Sequence, residues 1–108
     1  MTAIGSGSPL AGSVDLAASV DLAARPRLGR GFRLQWEPAQ KAHVLLYPEG
    51  MVKLNGSAGE ILRRCDGART LAEIVADLET TFNQTGLAPD VQDFVAYARE
   101  QGWLEVAA

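Results

Sequence analysis

The sequence predicts an α+β domain of winged helix-turn-helix-like architecture, with a three-stranded antiparallel sheet followed by a three-helix bundle in the order βββααα. Two observations predict it. Apolar residues recur with period two up to about residue 54 and with period 3.6 after it. The breaks between periodic segments are short and rich in Gly, Pro and Asp, which favours antiparallel strands and a helix-turn-helix corner.

Phe32-Arg-Leu-Gln-Trp36 alternates apolar and polar residues, the pattern of a half-buried strand. Glu37-Pro-Ala-Gln-Lys41 reads as a turn, His43–Tyr47 as a second strand, and Pro48-Glu-Gly50 as its end. Met51–Leu54 is then a short third strand. Asn55 or Ser57 suits the start of a helix, and Ser57-x-x-Glu60 has the form of a capping box. Ala58, Ile61, Leu62 and Cys65 make its apolar stripe, and Asp66-Gly67 stops it. Thr70-x-x-Glu73 opens a second helix with the stripe Leu71, Ile74, Val75, Leu78 and Phe82. Asn83–Ala88 is a loop. Pro89 suits the first turn of a third helix, whose stripe is Val91, Phe94, Val95 and Ala98. Gly102 ends it, and Trp103–Val106 is a short extended closure.

The chain has 108 residues, one Cys and one His, which excludes an internal disulfide and any metal centre built from Cys and His alone. No metal or cofactor is expected. No apolar run reaches the roughly 20 residues that span a bilayer, and a lone thiol suits a cytoplasmic setting. Residues 1–24 hold no Lys, Arg or aromatic residue and contain SVDLAA twice in tandem, at Ser13–Ala18 and Ser19–Ala24. Two copies of six residues make no solenoid, so this segment is expected to be a flexible tail or linker. The domain is then expected over residues 25–108, with Pro26 marking the entry.

Charge divides the domain. Residues 25–65 carry eight bases and three acids, whereas residues 66–108 carry two bases and eight acids. The second helix has Glu73, Asp77 and Glu79 without a base, and the third has Asp90, Asp93 and Glu100 against Arg99. Such helices repel phosphate, which argues against nucleic-acid recognition by a winged helix. Arg25, Arg27, Arg30, Arg33, Lys53, Arg63 and Arg64 form the basic half, suited to steering an acidic partner.

Chemistry is poorly represented. His43 opens an apolar strand with no nucleophile near it in sequence. Cys65 takes the last apolar position of a helix, where a small buried hydrophobe is the ordinary explanation. Gly5-x-Gly7 and Gly29-x-Gly31 lack the rest of a phosphate loop. Binding fits better than catalysis. The short third strand lies at a sheet edge, a template for adding one more strand, and a proline at Val52 is expected to weaken such binding by deleting a ladder donor. The same edge also suits a homodimer or a general protein-interaction domain.

The residues Leu45-Leu-Tyr-Pro-Glu-Gly50, Leu54-Asn55, Ser57-Ala58, Ile61-Leu62, Asp66-Gly67, Arg69-Thr70 and Glu73-Ile74-Val75 closely resemble the PqqD family. The likeness runs from about Arg25 to Val106. It implies a winged-helix-like peptide-recognition domain of ribosomal-peptide modification systems, a chaperone of pyrroloquinoline quinone biosynthesis without catalytic residues. It implies PqqA, the precursor peptide, as ligand and PqqE, the radical SAM enzyme that joins a Glu and a Tyr side chain, as partner. Carried over by position, it marks Met51, Val52, Lys53 and Leu54 on the third strand and Asp93, Phe94, Tyr97 and Gln101 on the third helix as peptide-binding. Arg63 and Arg64 would meet the peptide or the enzyme.

Overall fold

The computed structural model describes residues 20–107. In chain order these form β1 (Arg25–Leu28), β2 (Arg33–Glu37), β3 (Ala42–Tyr47), β4 (Gly50–Lys53), α1 (Gly56–Leu62), α2 (Leu71–Phe82), α3 (Ala88–Glu100) and β5 (Leu104–Ala107). The three central strands make an antiparallel sheet in the order β2-β3-β4, and three helices follow, as the sequence predicts.

Register places Leu34, Leu45 and Val52 in one row across this sheet. Leu45 is fully buried, and its two neighbours pack partly buried against the same core. The helices supply the rest of that core through Ile61, Leu62, Leu71, Ile74, Leu78, Val91 and Val95, which are buried almost completely. Burial of a Leu or Ile side chain stabilises by about 1.5–3 kcal/mol, so this single apolar layer between sheet and helices is the main source of stability.

The helix ends follow their chemistry. Thr70 and Glu73 form the expected capping box on α2. On α1 the cap is Asn55, whose Oδ1 accepts the Ala58 amide at 2.7 Å. The Ser57–Glu60 box does not form, because the Glu60 carboxylate turns instead to Arg63 and Arg64. Gly67 adopts φ +80°, the left-handed conformation expected after Asp66. Phe82 leaves the predicted stripe: it is the last residue of α2, the chain turns left-handed at Asn83, and the ring is 39 % exposed.

The structure adds a second, two-stranded sheet that the sequence does not predict. The closure after Gly102 is β5, and it pairs antiparallel with β1 through Pro26↔Val106 and Leu28↔Leu104. The Gly29 amide donates to the Trp103 carbonyl at 2.8 Å, which sets the alternation so that Pro26 faces away from β5. Its missing N–H therefore costs no ladder bond, and its carbonyl accepts the Gly67 amide at 2.9 Å. Of the expected tail, residues 1–19 lie outside the described residues, whereas Val20 and Ala24 are buried in the core.

Gly59 is where α1 rests on β3. A Cβ at this position would stand 2.7 Å from Nδ1 and 3.0 Å from Cβ of His43. Gly59→Ala gains up to about 1 kcal/mol of helix propensity but crowds a packed contact at about 1–3 kcal/mol. We expect Gly59→Ala to lower the urea midpoint, and the same change in a His43→Ala background to be neutral or stabilising.

Candidate functional site

β3 is paired on both sides, so β4 keeps one free edge. The Leu54 amide donates to the His43 carbonyl at 3.1 Å, making His43 and Leu54 a hydrogen-bonded pair. Antiparallel alternation then makes Leu45·Val52 and Tyr47·Gly50 bonded pairs, and leaves Leu46·Met51 and Val44·Lys53 non-bonded. The N–H and C=O groups of Met51 and Lys53 consequently point away from the sheet, and none has a partner among the described residues. The Val52 amide is already engaged with Leu45. A proline at Val52 would therefore break the sheet itself, and the donors open to a guest belong to its two neighbours.

The side chains divide by face. Val52 is half-buried against the core, and Leu54 is buried at the start of the turn into α1. Met51 and Lys53 project from the opposite face, Met51 with 57 % of its surface exposed. The edge thus combines the free main-chain groups that strand addition uses with one exposed thioether and one cation on the outer face. β2 is the other edge of the sheet, where the same parity turns the main-chain N–H and C=O groups of Leu34 and Trp36 outward.

On α3, Phe94, Tyr97 and Gln101 share one face, and Asp93 stands beside them. Phe94 is a core residue, 5 % exposed. Tyr97 is half-buried, packs on the same core as Val52, and meets Trp103 edge-on at 5.6 Å between ring centroids. Asp93 is half-buried and Gln101 exposed.

Arg63 and Arg64, adjacent in sequence, have different situations. Arg63 is exposed and pairs with Glu60 at 3.2 Å. Arg64 is 5 % exposed, with its guanidinium on the Glu60 carboxylate and carbonyl, each at 2.8 Å, and on Asp77 at 2.5 Å. This joins α1 to α2 across the helix-turn-helix corner. Asp77, which from sequence lacks a nearby base, is thus paired with Arg64, and Arg69 lies 3.7 Å away. The Glu60-to-Arg64 spacing of four is a legible helix pair, but the burial of the arginine is not.

Electrostatics in the site is that of structure. The Arg64 hydrogen bond holds the Asp77 carboxyl below the usual range. Burial raises Glu60, yet hydrogen bonds and charge from Arg64 and Arg63 outweigh it and the net shift is downward. Backbone and hydroxyl bonds from Thr70 lower Glu73, and the Arg27 side chain lowers Glu105. Burial pushes the Cys65 thiol up to about 12, and its Sγ donates to the Ile61 carbonyl. A thiol held neutral in this way is a core residue. His43 is half-buried with its ring edge-on to Trp36. Among the described residues no group of three or more His, Cys, Asp or Glu is placed to hold a metal, and no helix is long and apolar enough to cross a membrane.

The family model for coenzyme PQQ synthesis protein D (PqqD) matches residues 42–104, from β3 to the start of β5. A "PqqA binding protein" of Azotobacter vinelandii is 57 % identical over 82 residues, covering 75 % of this chain and 89 % of the relative. A protein of the same description from Pseudomonas aeruginosa is 56 % identical over the same shares. The fold is similar, with a TM-score of 0.63 and 32 % identity, to the solution NMR structure of the PqqD truncation of Methylobacterium extorquens PqqCD. That structure is described as a functional, stand-alone recognition element for ribosomally synthesised and post-translationally modified peptides; the match covers 74 % of this chain and 87 % of that one.

The depressed carboxylates give a pH dependence with a definite sign. A folded pKa below the unfolded one contributes stability that is present above about pH 4 and is lost as pH falls through the folded value. We expect the urea midpoint to hold from pH 7 to about pH 5 and to fall towards pH 3, and Asp77→Asn, already without its share, to fall less over that interval.

Proposed function

Because this chain belongs to the PqqD family, we propose that it is a peptide-binding protein of pyrroloquinoline quinone biosynthesis, which takes the precursor peptide PqqA as an added strand on β4 and presents it to the radical SAM enzyme PqqE. It is a recognition protein rather than an enzyme. The Azotobacter and Pseudomonas relatives, named for PqqA binding, support the ligand. The unpaired main-chain groups of Met51 and Lys53 are the observation that carries the docking mode.

In this reading a PqqA segment pairs with β4, exchanging hydrogen bonds with Met51 and Lys53 two residues apart. Guest side chains then alternate between the outer face, beside Met51 and Lys53, and the inner face, beside Val52, where Asp93, Tyr97 and Gln101 of α3 are the proposed rim. Phe94 supports that rim from the core. Main-chain bonds supply affinity independent of guest sequence, and the rim supplies selectivity. The segment of PqqA to be modified stays outside the pairing and is free for PqqE. Arg63, the exposed member of the arginine pair, serves the peptide or the enzyme, while Arg64 acts through the α1–α2 corner. The protein works in the cytoplasm. A homodimer formed through β4 would use the same groups, so it would dissociate as peptide is added.

Lys53→Pro tests this directly. Its amide faces outward, so an edge proline keeps the fold and removes one guest bond. One net hydrogen bond is worth about 1 kcal/mol, so the expected loss of PqqA affinity is roughly 5-fold or more by calorimetry. Lys53→Ala reports the part owed to the side chain. Folded Lys53→Pro that binds as well as Lys53→Ala contradicts docking on this edge.

A further inference from the structure

Ser13–Ala18 and Ser19–Ala24 are the same hexapeptide, SVDLAA, in tandem. Residues 20–24 of the second copy have a built seat on the helices. Val20 is 2 % and Ala24 4 % exposed. The Val20 carbonyl accepts Nε2 of Gln92 on α3 at 2.9 Å. The Leu22 and Ala24 carbonyls accept the Ala72 and Leu71 amides at 2.9 and 2.8 Å. These are two of the donors that a helix leaves unpaired in its first turn. Residues 21–24 also make their own turn, because Asp21 accepts the Ala23 amide through Oδ1 and the Ala24 amide through its carbonyl.

Every group in this seat has an identical counterpart six residues earlier: Val14 for Val20, Asp15 for Asp21, Leu16 for Leu22 and Ala18 for Ala24. We propose that the surface formed by the start of α2 and Gln92 is a docking site for a Val-Asp-Leu-Ala-Ala segment, and that Ser13–Ala18 is its second occupant. Exchange slides the chain by six residues. Ser19–Ala24 then becomes a loop between the seat and β1, while the core plug, the α2 cap and the Gln92 bond are all re-formed. The closure entropy of that loop keeps the near copy as the major occupant. The site is separate from the β4 edge and does not depend on what that edge binds.

Four full-length chains test the proposal by thermal unfolding: the natural sequence, Val14→Asp, Val20→Asp and the double variant. Val14→Asp should leave Tm unchanged. Val20→Asp should lower it modestly, because Val14 takes the seat, and the double variant should unfold about 5–10 °C below Val20→Asp. Equal Tm for Val20→Asp and the double variant overturns the proposal. The NMR resonances of the Gln92 side-chain amide give a second readout. They should keep their natural shifts in Val20→Asp and move to free-amide positions only when both valines are replaced, or when the double variant fails to fold. Movement already complete in Val20→Asp also overturns it.

Discussion

The hydrogen-bonding parity of β3 and β4 decides which main-chain groups of this sheet stay open. β3 commits both of its edges, to β2 on one side and β4 on the other. The bond from Leu54 to His43 fixes which residues of β4 look inward. Val52 must then serve the sheet, and Met51 and Lys53 must face outward. An unpaired amide in water costs little; covered by a partner without a bond it costs about 1–3 kcal/mol. A partner covering these groups therefore has to supply bonds to them, which an extended chain in register can do.

Holding that edge in place is a matter of what lies behind it. The row Leu34–Leu45–Val52 seats the sheet on the helices, and Gly59 allows α1 to approach His43 closely. Arg64 fastens α1 to α2 with its charge matched by two carboxylates, an arrangement that orients the corner more than it adds net stability. β1 and β5 draw the two ends of the domain together, and Val20–Ala24 cap α2. A small domain, burying about 60 % of its unfolded surface, gains from each of these ties.

The elements with clear periodicity were legible in the sequence. Alternation located β2, short runs of strand-forming residues between turn signals located β3 and β4, and Thr70-x-x-Glu73 located the start of α2 to the residue. What the sequence leaves hidden is non-local. Arg25–Leu28 is only four residues long and contains a proline, so its role as a strand depends on β5, more than 75 residues away. Composition alone made Val20–Ala24 resemble a tail, because Ala and Val carry no signal of what they will pack against. Arg64 reads as surface charge until α2 brings Asp77 to it. Phe82 reads as core because periodicity does not say where a helix runs past its neighbour. For the site, strand and edge were visible, but the parity that selects Met51 and Lys53 over Val52 required the register.

Hydrogen exchange followed by NMR, with and without PqqA peptide, distinguishes docking on β4 from docking anywhere else. With the peptide on β4, the amides of Met51 and Lys53 should exchange rapidly in the free protein and become protected on peptide addition, while Val52 is protected throughout and Leu34 and Trp36 on the opposite edge are unchanged. Binding that leaves Met51 and Lys53 as exposed as before, or that protects Leu34 and Trp36 instead, would contradict docking on β4.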